Sequence, residues 1–178
     1  MAIDIHMKVF GSLLLIVLVF TTVCSQAQPG FGQPELLNER WLFMLSDVNG
    51  GQYPTMDDAR WQGLGLPHDW SIRGKLDSTL TSCQGYLPGG IGWYRKHLTV
   101  PESKRGEKIY LYFEDVYNRS EVYLNGHLLG KRPNGCVSFM YDTTPHVKFG
   151  EDNGIAVRVD HYRQADSRWY TGSGIYRN

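Results

Sequence analysis

From Gln28 onward the apolar residues of this chain hold no sustained helical period; short apolar and aromatic runs alternate with clusters of turn residues, so the chain must fold mostly as β-strands. In residues 108–114, Ile109, Leu111 and Phe113 fall on one face, and in residues 155–160 apolar side chains alternate with small or charged ones. Both runs predict half-buried strands. Residues 121–124 and 127–130 flank Asn125-Gly126, a pair that adopts the positive φ angles of a tight primed turn, which predicts a hairpin. Residues 93–100, closed by Pro101, predict a further strand, and residues 40–46 a shorter one. The segments 47–52, 84–92 and 132–135 are rich in Gly, Pro, Asn or polar residues and read as loops, and residues 57–61 as a single helical turn. Short strands punctuated in this way favour an all-β, two-sheet sandwich.

Charge and length narrow the function. Eighteen basic residues balance eighteen acidic ones, so no broad cationic field exists to attract nucleic acid or an anionic membrane. With 178 residues the chain has room for one core but not for a sandwich plus a barrel of about 250 residues. Its start reads as an address. Lys8, the apolar run 9–20 and the small or polar residues ending in Ser25-Gln26-Ala27 match a secretory leader cut after Ala27, with Met7 as a possible alternative start. The apolar run falls short of the roughly 20 residues of a spanning helix. Thr21-Thr22-Val23 before Cys24 lacks the Leu and the small residue of a lipoprotein signal. The expectation is an exported chain, periplasmic or extracellular, free of the membrane after cleavage. Residues 28–178 then keep Cys83 and Cys136, and two readings stay open: a disulfide, which an oxidising compartment permits, or two separate buried thiols. No cysteine-rich metal site is present, and the residues call for no cofactor.

Four blocks, in order, carry a resemblance: Leu66-Pro67-His68-Asp69-Trp70, Gly92-Trp93-Tyr94-Arg95-Lys96, Val122-Tyr123-Leu124-Asn125-Gly126, and Arg168-Trp169-Tyr170-Thr171-Gly172-Ser173-Gly174-Ile175-Tyr176-Arg177. With them the chain resembles the N-terminal sugar-binding domain of glycoside hydrolase family 2, specifically the β-galactosidase-like enzymes, from about Leu37 to Asn178. The resemblance implies a jelly-roll β-sandwich of the galactose-binding-domain kind. In complete enzymes an immunoglobulin-like domain and a TIM barrel with two catalytic glutamates follow, and the whole hydrolyses β-galactosides with retention. Family members continue past the last block into another strand of the same domain. The expectation is therefore a domain truncated at its C-terminal end, with an open sheet edge.

Retaining hydrolysis needs two carboxyl groups roughly 5 to 5.5 Å apart. Glu39 sits in an Asn-Glu pair that imitates the family's acid/base motif, but its surroundings match the domain's opening segment; Glu114, Glu121 and Glu151 are explained by strand faces and loop ends. No catalytic residue is assigned, and turnover by this chain alone is not expected. His68-Asp69 invites a proton-transfer or metal reading, yet neighbours on an extended chain point to opposite sides. The plainer reading has Asp69 capping a turn, Trp70 in the core and His68 bonded locally. The resemblance implies that Asp166, the acidic residue nearest before Trp169, contacts the sugar, with Arg168 and Trp169 beside it. Arg168 and Trp169 read equally as a buried stacked pair. Tyr86, in the Gly-rich loop 85–92, is a second contact candidate or part of a simple turn; that loop lacks the Lys-Ser/Thr ending and following helix of a phosphate loop. Asn118-Arg119-Ser120 fits a glycosylation sequon, a pattern common by chance. The partner expected is a β-galactoside or related glycan, or, for a stand-alone secreted carbohydrate-binding module, a glycan gripped by exposed Trp and Tyr rings.

Overall fold

A computed structural model describes residues 32, 34–163 and 169–177. The leader, Cys24 and the candidates Asp166 and Arg168 lie outside the described residues. All the strands belong to the compact unit Leu36–Asn178. They are β1 (Trp41–Met44), β2 (Gln62–Leu64), β3 (Gly90–Thr99), β4 (Tyr110–Phe113), β5 (Ser120–Leu124), β6 (His127–Arg132), β7 (Phe139–Asp142) and β8 (Asp152–His161). The first sheet has the order β2-β1-β3-β8-β5-β6 and the second pairs β4 with β7, every pairing antiparallel. The chain is thus a β-sandwich, as the alternation of apolar runs requires. Two 3-10 turns, Ser82–Gln84 and Glu102–Lys104, interrupt the loops, and residues 57–61 form a turn rather than a helix.

The hairpin is built as its sequence dictates. Asn125 and Gly126 have φ of 52° and 86°, and Asn125 is further held by its side chain, which donates to the His146 carbonyl and to Asn153 Oδ1, each at 2.8 Å. A shift in register between Val122 and Tyr123 places a bulge in the β5–β6 ladder. Between the sheets lie Phe43, Tyr94, Val122, Leu124, Ile155, Val157 and Val159 from the larger sheet, facing Leu111, Phe113 and Phe139 from the smaller. Gly92 has no side chain because the rings of Phe43 and Trp70 occupy that space, 2.8 and 2.9 Å from where a β-carbon would stand.

The central strands of the larger sheet are covered on their other face as well. Residues 47–61 cross it as a strap, and Trp61 packs with Trp93 and Ala156 beneath Val48, Met56 and Tyr123. Five consecutive residues of β3, Gly92 to Lys96, are therefore buried. One of them is Arg95, 2% exposed. Its Nε donates to Asp58 Oδ2 at 2.6 Å, and one terminal nitrogen donates to the carbonyls of Gly51 at 2.6 Å and Tyr53 at 3.0 Å. A buried guanidinium is tolerated because carboxylate and carbonyls replace its water. Asp47 closes the other end of the strap with two 2.9 Å bonds from Arg158. Lys96, on the inner side, donates to the Glu39 carbonyl at 2.5 Å and lies over Trp41.

Replacing Arg95 by Met removes one of the two side-chain donors to Asp58 and the guanidinium donor to the Gly51 and Tyr53 carbonyls. R95M should lower the free energy of urea unfolding by about 3 kcal/mol. A value indistinguishable from the parent would show that apolar contacts alone hold the strap.

Candidate functional site

The blocks 66–70 and 173–177 meet at the end of the sandwich where β3 begins and β8 finishes, beside the start of block 92–96, whereas the 122–126 hairpin turn lies by the start of β8. Residues 173–175 run between two partners: the His68 amide donates to the Ile175 carbonyl and the Trp70 amide to Ser173, while Tyr117 and Gly174 exchange amide bonds on the other side. Gly174 has φ of 114°, and a β-carbon there would stand 2.1 Å from the Tyr94 hydroxyl and 2.9 Å from the His68 carbonyl oxygen. Only glycine fits.

Beneath these segments lies a buried chain of hydrogen bonds whose direction can be worked out. Ser71 Oγ donates to the Pro88 carbonyl at 2.5 Å, which uses its one proton, so Ser173 Oγ must donate to Ser71 across their 2.5 Å contact. Ser173 then needs a donor, and His161 Nδ1 stands 2.6 Å away. His161 therefore donates from Nδ1, and its Nε2 lies 3.4 Å from the Gln84 side-chain nitrogen. Four segments, carrying Ser71, Gln84 with Pro88, His161 and Ser173, are tied together by one polar path.

Asp69 Oδ1 accepts from the Ser71 amide at 3.0 Å, and Oδ2 accepts from the Tyr170 hydroxyl. Burial and the Asp69 carboxylate both push the Tyr170 phenol well above its ordinary value. Trp70 lies in the core, as read from the sequence. His68 does not bond locally: it is buried, its Nδ1 sits 2.9 Å from the Tyr94 hydroxyl, and desolvation brings its pKa down to about 4. A neutral imidazole held under Phe43 is a structural group. At the far side of residues 173–177, buried Asp115 accepts from the Tyr176 hydroxyl at 2.5 Å and from the Cys136 amide at 2.7 Å.

Trp169 and Tyr86 stand at this end with 69% and 44% of their surface exposed, so Trp169 is not a buried ring. Tyr86 has φ of 59° and its carbonyl accepts from the Asp77 amide at 3.0 Å, which fixes the loop that bears it. Ile72, Leu76 and Tyr162 are exposed on the same group of segments. Glu39, Glu114 and Glu151 are exposed and Glu121 is bound to Lys131 at 2.8 Å. Cys83 and Cys136 are free thiols, one half-buried and one exposed, so neither a bridge nor a pair of buried thiols forms. Asn118 is buried, which closes it as a glycosylation acceptor. Among the described residues no three His, Cys, Asp or Glu side chains gather to hold a metal. A partly open, apolar pocket of about 60 Å³ at the opposite end is lined by Leu98, Val100 and Ile109, and a shallow cleft between Met44, Met56, Arg60 and Trp61 lies beside the strap.

Comparison with known proteins agrees with this architecture. The family model described as "Glycosyl hydrolases family 2, sugar binding domain" matches residues 79–178. Beta-galactosidase BoGH2A of Bacteroides ovatus is 47% identical over 143 residues, which span 79% of this chain and 17% of that enzyme. A beta-glucuronidase of Formosa agariphila is 35% identical over 159 residues, 79% of this chain and 16% of its own length. The crystal structure of a beta-glycosidase from Bacteroides vulgatus superposes with a TM-score of 0.77 at 46% identity, covering 82% of this chain and 19% of that one. The chain thus spans less than a fifth of these relatives.

Two outcomes test the geometry. Gly174→Ala should cost about 3 kcal/mol of stability through clash and backbone strain, read by denaturant unfolding. His68 binds its proton less readily when folded than when unfolded, so it contributes stability above about pH 6.5 that is lost as pH falls toward 4. A His68→Gln variant should show a shallower loss over that window; an unchanged slope would place the acid sensitivity elsewhere. The chain belongs to the sugar-binding domain family of glycoside hydrolase family 2.

Proposed function

We propose that this chain serves as the sugar-binding and scaffolding domain of an exported, retaining family 2 glycosidase acting on β-galactosides or related glycans. In this reading it buttresses the catalytic barrel and lends one wall to the saccharide cleft. The observation that carries it is the set of exposed rings, Trp169 and Tyr86, on loops fixed by the buried path from His161 to Pro88. A pyranose presents C–H bonds to such a ring and hydroxyls to the polar groups beside it, and Asp166 and Arg168 are the side chains proposed for the hydroxyls. Exposed Ile72, Leu76 and Tyr162 supply apolar surface at the same end for a neighbouring domain. Export rests on the leader-like residues 1–27.

Turnover by the 178-residue chain itself is not part of the proposal. A general acid needs a carboxyl group whose pKa is raised. Asp47, Asp58, Glu121 and Asp142 are instead held below their ordinary values, with Arg158 acting on Asp47, Arg95 and His97 overcoming burial at Asp58, Lys131 and Tyr123 overcoming it at Glu121, and Thr144 acting on Asp142. Purified protein beginning at Gln28 should release no nitrophenol from nitrophenyl β-galactoside above the blank; a protein-dependent rate would overturn this.

A second reading, a stand-alone carbohydrate-binding module, is favoured by Tyr110 and Tyr112, which alternate on one exposed face of β4. Calorimetric titration with galactose and lactose separates the two. The scaffold reading expects weak or undetectable heat. The module reading expects saturable binding that Tyr112→Ala abolishes.

A further inference from the structure

The strap over the outer face of the larger sheet is anchored by Trp93, Arg95, His97 and Arg158, and one of them, His97, can change its charge near neutral pH. Trp93, Arg95 and His97 share one face of β3 by the two-residue period of a strand. His97 Nδ1 lies 2.9 Å from Asp152 Oδ2, at the start of β8, and its Nε2 lies 3.1 Å from Asp58 Oδ2, on the strap. A neutral imidazole has one N–H and one lone pair, so it donates to one of these carboxylates and turns its lone pair against the other. Only the imidazolium donates to both.

We propose that His97 is a pH-operated clasp, joining the strap of residues 47–61 to β8 while protonated and loosening the strap's second half when it loses its proton. The charged groups that meet His97 are Asp58 from the strap, Asp152 from β8, and Arg95, two residues earlier on β3, which shares the Asp58 oxygen at 2.6 Å. Two carboxylates outweigh the shared guanidinium. Partial burial draws the His97 pKa down, but the bonds and charges of Asp152 and Asp58 more than offset it, and the net direction is upward. The imidazole is 41% exposed along its side chain, so the proton exchanges freely with solvent. The other charged anchors, Arg95 on Asp58 and Arg158 on Asp47, keep their charges across this range. Because the folded pKa is raised, the clasp is fully engaged below about pH 6.5 and is lost as pH rises through the folded value. Its release weakens the packing of Trp61, on the strap, against Trp93.

Nuclear magnetic resonance of the intact chain reads the clasp directly. His97 should half-titrate above 6.5, and Asp152→Asn should lower that midpoint by about half a unit or more. Amide hydrogen exchange then reads the strap through Trp61, whose N–H donates to the Asp58 carbonyl at 2.9 Å. At about pH 5.5 the parent should protect this amide severalfold better than His97→Gln, and the two should converge by about pH 8.5, after correction for intrinsic exchange. A His97 midpoint at or below 6.5, or the same pH dependence of Trp61 exchange in parent and His97→Gln, would overturn the proposal. Comparing the parent with the variant at each pH removes the acid response of His68, which both share.

Discussion

The path His161, Ser173, Ser71, Pro88 is the constraint on which the candidate site depends. Each hydroxyl has one proton, so fixing the last acceptor fixes every donor before it, including the imidazole Nδ1–H. In a dry interior such a path tolerates no missing member, since each loss leaves a buried group unpaired. It joins the segments that carry residues 71, 84–88, 161 and 173, and Tyr86 and Trp169 belong to or adjoin two of them. Precise ring placement on loops is otherwise hard to achieve, because loops hold few contacts of their own.

The larger sheet reconciles this end with the rest of the molecule through its central strands β3 and β8, which are buried on both faces along much of their length. Strand β3 carries Tyr94 toward the sandwich core and Trp93, Arg95 and His97 toward the strap. The two faces answer pH in opposite senses. On the inner face His68 is kept neutral by desolvation and resists acid protonation, whereas on the outer face His97 sits between carboxylates and favours its proton. The same residue type is thus a packing element on one side and an ion-pair element on the other, and its surroundings alone decide which.

What could be read from the sequence was local. Asn125-Gly126 announces its turn because positive φ is written into those two residue types, and Ile155, Val157 and Val159 announce a core face by period alone. The four motif blocks were legible as a family signature, and the family model and relatives bear that out. The strap was not legible. Residues 47–52 read as a loop and 57–61 as a helical turn, because what holds them is Arg95, 37 positions beyond Asp58. His68 was expected to bond nearby, but its partner Tyr94 is 26 residues away. A Trp-x-Arg-x-His run on a strand is the available signal: charged side chains at alternate positions on a central strand demand a polar cover, and only the fold says which segment provides it.

The order of the candidate site depends on the buried path acting as one unit, and a double-mutant cycle between Ser71→Ala and His161→Phe measures that. If the path is a unit, breaking it once removes most of its worth, and the two losses of unfolding free energy should fall short of additivity by about 1 kcal/mol or more. Strict additivity would mean that Ser71 and His161 are independent neighbours, and the loops bearing Tyr86 and Trp169 would then owe their placement to something else.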